Sequence, residues 1–241
     1  MGKILLFMIL LAARIFGQSE IILFDDNFKP SDAKSATLWA WYEYDDLTTL
    51  SLTTNLVNSW LDKSGGGHTL TPGVESLIPS WSSTGIVFDG VDDRLLASAD
   101  ASLVQPTTIY IVMKNLTWTN GRYLWDGNIF LSMALANNTI TPRVIIRTSA
   151  FFAFDNLILD TWFIVKVVYN STSSSIRLNN GTPTTGNAGT TNAGGFKLGC
   201  DGTGGSTANI AVKYIAIYKG VTSTQDDANI IKYFNNKANV Y

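Results

Sequence analysis

Short runs of β-branched and aromatic residues recur along this chain, each closed by a cluster of Gly, Asn, Ser or Thr, and several of them alternate apolar with polar positions. Strict alternation sends successive side chains to opposite faces of an extended strand, so these runs predict strands with an apolar core-facing side. The pattern places strands at residues 37–42, 85–88, 107–113, 129–135, 143–147, 162–169, 175–179 and 209–218. In the sixth of these, Phe163, Val165, Val167 and Tyr169 make one large apolar face while Lys166 points the other way. Many short strands divided by turn residues predict an all-β sandwich or barrel.

Asn180-Gly181 readily takes the positive φ angles of a tight hairpin turn. A return strand is expected soon after it, but residues 182–195 are rich in Thr, Gly and Asn and read as a long surface loop or frayed edge. Helical periodicity is clear only at the C-terminus. There Ser223 or Thr224 can cap, Asp226 and Asp227 fall in the positively polarised first turn, and Ile230, Ile231 and Phe234 form an apolar stripe. This helix is expected to pack on the sandwich edge.

The N-terminus breaks the alternation. Met1-Gly2-Lys3 precedes an unbroken apolar run over residues 4–13, which ends at Arg14. That run is too short for a membrane-crossing helix, which needs about 20 residues, and it suits the apolar region of a secretory signal. Gly17 before Gln18 supplies a small residue for cleavage. The expected organisation is a signal peptide at 1–17, an N-terminal extension at 18–36 and one domain at 37–241, with no transmembrane span and a secreted or cell-surface location. Arg14 sits late for a signal, and a retained segment would instead look like an arm docking on a neighbour in an assembly.

Composition narrows the chemistry. With 241 residues, 46% hydrophobic and 15% charged, the chain can bury one sizeable core, which makes one domain the default. The formal net charge is -2 and Lys and Arg are scattered singly, which argues against a nucleic-acid partner. Cys200 and His68 are the only residues of their types, so disulfide frameworks, Cys/His zinc sites and Cys-His nucleophile pairs are excluded. A Ser-His-Asp triad would have to use His68, which follows the flexible Ser64-Gly65-Gly66-Gly67 stretch, a poor mount for a general base. Cys200 reads as a buried, unreactive thiol.

Four stretches taken together carry a resemblance. They are Asn58-Ser59-Trp60-Leu61-Asp62-Lys63-Ser64-Gly65, Gly85-Ile86-Val87-Phe88-Asp89-Gly90-Val91-Asp92-Asp93, Ser175-Ile176-Arg177-Leu178-Asn179-Asn180-Gly181, and residues 211–218 with the helix start that follows. In order and spacing they resemble the laminin-G-like branch of the concanavalin A-like lectin/glucanase superfamily, across about residues 37–241. The resemblance implies a two-sheet antiparallel jelly-roll sandwich with a short C-terminal helix. Its members bind glycans, bind proteins, cleave polysaccharides or serve as virion and adhesin modules, so fold alone does not settle function.

Polysaccharide-cleaving members use paired carboxylates, commonly at Glu-x-Asp-x-x-Glu spacing. Glu43-Tyr44-Asp45 supplies the first half only, position 48 is Thr, and the remaining glutamates are Glu20 and Glu75. Glu43 and Asp45 therefore read as solvated residues at a strand end, and no enzyme is expected. Asp89, Asp92 and Asp93 either hold calcium or bond local backbone amides in a turn; no other cofactor is implied. The Asp201-Gly202-Thr203-Gly204-Gly205 loop is similar but lacks a third acid.

A sugar site pairs an aromatic platform with hydrogen-bonding side chains at loop level. Trp39, Trp41, Trp60 and Trp162 fall in strand or turn patterns and read as core. Trp118 lies in a polar loop with Asn120 and Arg122, and Tyr123 follows; it is either an exposed platform or a ring tucked over the sandwich edge. Arg143 and Arg147 share a strand face with Ile145, where they meet an acidic sugar, a partner's carboxylates, or only solvent. Asn115, Asn137, Asn170 and Asn180 begin Asn-x-Ser/Thr sequons. The first reading is an exported, non-catalytic lectin-like module that binds a glycan or cell-surface polysaccharide. The second is a structural subunit, such as a spike or fibre head, contacting protein subunits of a virion or cell-surface assembly. A glycosidase comes last.

Overall fold

The alternating runs pair into two antiparallel sheets in the computed structural model, which describes residues 22–138, 143–155 and 157–241. The expected signal segment, residues 1–17, lies outside these. In chain order the strands are β1 (Thr37–Glu43), β2 (Leu50–Thr53), β3 (Leu56–Trp60), β4 (Ser80–Ser82), β5 (Gly85–Asp89), β6 (Leu95–Leu96), β7 (Thr107–Asn115) and β8 (Tyr123–Asp126). They continue with β9 (Ala134–Asn137), β10 (Val144–Arg147), β11 (Phe151–Phe154), β12 (Phe163–Tyr169), β13 (Ser174–Leu178), β14 (Thr184–Gly186), β15 (Lys197–Leu198) and β16 (Asn209–Lys219), and one helix follows, α1 (Thr224–Ala238).

The larger sheet runs β14-β13-β12-β7-β16-β5-β4-β3-β2, with β1 also paired to β16; the smaller runs β11-β10-β9-β8-β15-β6. Their facing sides make the main core. Phe163, Val165, Val167 and Tyr169 of β12 point into it together with Ile109, Ile111 and Met113 of β7, against Leu124, Trp125, Leu135, Val144 and Ile146 of the smaller sheet. The apolar face predicted for β12 is therefore the core face. Trp39 and Trp60 belong to the same core, Trp41 is buried, and Trp162 is half-buried over the larger sheet.

The fold differs from the sequence reading in three places. Only the end of the run at 129–135 is extended, as β9; the residues before it turn back, with Leu131 at φ 61. The stretch at 182–195 does return as a strand, since β14 pairs with β13 through Ser174↔Gly186 and Ile176↔Thr184. Helix α1 lies over the outer face of the larger sheet, not its edge. Ile230, Ile231 and Phe234 meet Tyr110, Val112, Ile164, Tyr214, Ala216 and Tyr218 there, on the central strands. Ser223 caps it as expected, accepting from Asp226 N at 3.2 Å.

The segment leading into β1 covers the same face. Phe28 is buried in this second apolar cluster, Asp26 pairs with Lys232 at 2.6 Å, and Phe24 lies under the Lys232 ammonium. No helix among the described residues is long and apolar enough to cross a membrane.

Candidate functional site

The turn after β3 is built by one carboxylate. Asp62 accepts from Trp41 N (2.9 Å), Ser64 N (2.8 Å), Ser64 Oγ (2.8 Å) and His68 N (3.1 Å), which fastens the glycine-rich loop to β1. The loop lays His68 flat on Trp39, with ring centroids 3.8 Å apart and 21° between planes. Burial lowers the His68 pKa, so at neutral pH the ring serves as an uncharged stacking group. Cys200 is buried as expected, and desolvation pushes its thiol up to about 12.

Glu43 is not solvated. It is 3% exposed and holds Lys63 at 2.6 Å and Lys237 at 2.9 Å, with the Tyr233 hydroxyl donating to the same carboxylate. Its partners come from the turn after β3 and from α1, both distant in sequence. Asp45 is exposed as read, and it accepts from Tyr214 Oη at 2.9 Å.

Asp89, Asp92 and Asp93 do converge, each offering a carboxylate oxygen within 4.8 Å of the others. Two of them also serve the turn: Asp89 accepts from Val91 N at 2.7 Å, and Asp93 accepts from Asp89 N at 2.9 Å. Calcium takes roughly 6–8 oxygens, so backbone carbonyls and water would have to complete the shell. Desolvation first, with Asp89 and Asp92 adding to it, raises Asp93 to about 6. A carboxyl whose pKa is raised on folding lends stability below its unfolded pKa and loses it as pH rises through the folded value. Asp93→Asn is therefore expected to gain about 1 kcal/mol over wild type near pH 8, discounted for partial exposure, and to gain nothing near pH 4. Urea midpoints measured across that range check it.

The structure divides the sugar-site residues into two groups. Trp118 is not a free platform: it packs against the main core and donates from Nε1 to Asn138 O at 3.2 Å, while Asn120 is exposed and Arg122 half-buried on the same loop. Two of the four sequons are blocked by folding, since Asn115 and Asn137 are buried and bonded to each other at 2.9 Å. Tyr123, Arg143 and Arg147 belong elsewhere, on the outer face of the smaller sheet. Val144 and Ile146 point into the core and Ile145 points out, which puts Arg143 and Arg147 on the outer side as their spacing predicted.

That outer face is a packed apolar floor with an aromatic and basic rim. Tyr123, Ala134, Ala136 and Ile145 pack together, with Leu131 and Ala153 beside them. Phe130 leans on Tyr123 with centroids 5.7 Å apart, and Phe151 stands across from Arg147, whose guanidinium lies 5.7 Å from the ring centroid. Both phenylalanines show much of their surface to solvent, 49% for Phe130 and 60% for Phe151. Arg147 also hydrogen-bonds the Tyr123 hydroxyl. Neither phenylalanine was singled out from sequence. The available signal was β11, where Phe151 and Phe152 are adjacent, so that one of the two must face outward.

The loop carrying Phe130 is fixed from beneath by Asp126. This fully buried carboxylate accepts from Gly127 N (2.7 Å), Leu131 N (2.8 Å), Ser132 N (3.0 Å) and Gly202 N (3.0 Å). Burial raises its pKa and the backbone N–H groups pull it back down. Gly202 belongs to the second acidic loop and lies so close to Ile129 that a Cβ there would fall 2.0 Å from its carbonyl carbon. Asp201, paired in that loop with Thr203 and Gly205 N–H groups, holds the other side.

No protein-family model and no curated protein sequence matches the chain. Solved structures do. Trypanosoma rangeli sialidase in complex with sialic acid aligns with TM-score 0.59 at 13% identity, over 82% of this chain and 33% of that one. Domain 4 of AbnA, a GH43 extracellular arabinanase from Geobacillus stearothermophilus, in complex with arabinotriose, aligns with TM-score 0.58 at 13% identity, over 82% of this chain and 100% of that one. A mutant of HCR/D aligns with TM-score 0.60 at 10% identity, over 83% and 52% respectively. The chain thus spans about a third of the sialidase and about half of HCR/D. At these identities the likeness establishes the fold alone, a two-sheet antiparallel β-sandwich.

Proposed function

We propose that this protein is an exported, non-catalytic carbohydrate-binding module of the laminin-G-like type, and that its ligand lies on the outer face of the smaller sheet. The observation that carries the reading is the pair of exposed rings, Phe130 and Phe151, set beside Arg147 on a packed floor. Flat apolar rings next to a rigid hydrogen-bond donor are what a sugar needs, with ring face for C–H groups and donor for hydroxyls. Fold kinship with an arabinanase domain that holds arabinotriose supports the ligand class. Export rests on the apolar run and Gly17 at the N-terminus. The non-catalytic reading rests on Glu43, whose carboxylate is occupied by two lysines and a tyrosine.

A glycan array followed by titration tests the proposal. Wild type is expected to bind with a dissociation constant of order 0.1–1 mM per site, and Phe151→Ala to lose binding with an unchanged thermal midpoint. Trp118→Ala is expected to do the reverse, keeping the site but losing about 1–2 kcal/mol of stability because its ring fills core space. A wild-type protein that binds no glycan overturns the proposal in favour of a structural subunit.

A further inference from the structure

We propose that the sugar bound on this face is anionic, a polysaccharide carrying carboxylate or sulfate groups that run along β10; this rests on the glycan-binding reading above. The basis is how the two arginines are held. Arg147 forms no ion pair among the described residues. Its guanidinium is placed by a phenol and a phenylalanine ring, and its Nε is buried without a hydrogen-bond partner. A guanidinium has five N–H donors in a fixed fork, and the Tyr123 oxygen satisfies one direction only. A half-buried guanidinium fixed by aromatic groups favours a bidentate anion over a neutral hydroxyl. Phe151 supplies the matching surface, an exposed ring on which a pyranose can rest while its acidic substituent reaches Arg147.

Arg143 repeats the arrangement farther along the strand. Residues four apart on one strand are separated by about 13 Å, so the two arginines can meet charges on separate sugar units of one chain. Arg143 is paired with Asp155 at 3.2 Å, but that carboxylate is 62% exposed. Exposed pairs of this kind are weak, so an incoming anion can take Asp155's place. Asp155 thereby acts as a stand-in for the ligand, and removing it frees Arg143.

The test is calorimetric titration of the whole protein with oligogalacturonate, its methyl ester, a sulfated galactan oligomer and arabinotriose. Oligogalacturonate or the sulfated oligomer is expected to bind at least about tenfold more tightly than the ester and arabinotriose, as one added charge-assisted contact implies. Preference between the two anions identifies carboxylate or sulfate as the natural group. Arg147→Gln should erase the advantage, and Arg147→Lys should keep part of it. Asp155→Asn should tighten anion binding while leaving arabinotriose unaffected, a gain that a merely structural role for Asp155 does not produce. Equal affinity for the acid and its ester, both lost in Phe151→Ala, overturns the anionic ligand and leaves the glycan reading standing. Binding to none of the four overturns the anionic ligand, while the glycan reading stands or falls on the array, and a dimer in solution that Phe151→Ala dissolves makes a second copy of this chain the occupant.

Discussion

Asp227→Ala is expected to cost about 3–5 kcal/mol of folding stability, the range for removing one partner from a buried ion pair. Asp227 sits in the first turn of α1 and is 8% exposed. It receives the Tyr110 hydroxyl at 2.7 Å, Arg177 at 2.8 Å and Lys166 at 3.0 Å, from β7, β13 and β12 in turn. One carboxylate therefore fastens the helix to three strands, and its loss strands two cations in a partly dry site. Burial already lowers the Lys166 pKa and Asp227 holds it up. Without Asp227, Lys166 gives up its proton at lower pH, so the deficit should narrow in alkaline solution, where the lysine is neutral in both folded variants. Asp227→Asn keeps one acceptor oxygen, at the Oδ1 position that Tyr110 and Arg177 both reach, and should cost less. Urea midpoints of the three proteins at neutral and alkaline pH check both statements, and an alanine variant within about 1 kcal/mol of wild type would show the cluster to be a surface ornament.

Asp126→Asn is the second large effect, and it reaches function. Both oxygens of Asp126 accept backbone N–H groups, Oδ1 from Gly127 and Ser132, Oδ2 from Leu131 and Gly202. Whichever way an amide is turned, its NH2 group faces donors. Each buried donor left unsatisfied costs about 1–3 kcal/mol, so about 3 kcal/mol or more is expected in total. The loops at 127–131 and 201–205 share this anchor. Their release should displace Phe130, so that glycan affinity falls together with the thermal midpoint, whereas Phe151→Ala should lower affinity alone. Hydrogen exchange at Leu131 and Gly202 gives the direct readout.

The core strands were legible because β12, β7 and β16 are runs of β-branched and aromatic residues closed by turn residues, and the helix because Ser223, Asp226 and Asp227 mark its start. Where the helix lands was written less openly. Tyr110, Val112, Tyr214, Ala216 and Tyr218 occupy the second face of β7 and β16, and strands apolar on both faces need a covering layer. The pairing of Arg143 and Arg147 followed from period-2 geometry. The rest of the site did not, because its parts are joined by long-range contacts: Phe130 is placed by an anchor at Asp126 that also binds Gly202, far along the chain. Glu43 was misread for the same reason, since Lys63 and Lys237 are remote in sequence. Trp118 looked unexplained only because the core it touches comes from other strands.

The two outer faces of the sandwich are unequal, and this gives the molecule a direction. Helix α1 and the segment around Phe28 cover the larger sheet, and Ile22 and Tyr241 border one cavity beside that helix. Both ends of the described chain thus lie on the covered side, while Phe130, Phe151 and Arg147 look out from the opposite one. A bead, a fused enzyme or a membrane anchor attached at either end would hold the molecule by its back, with the rings and guanidiniums turned toward whatever stands in front.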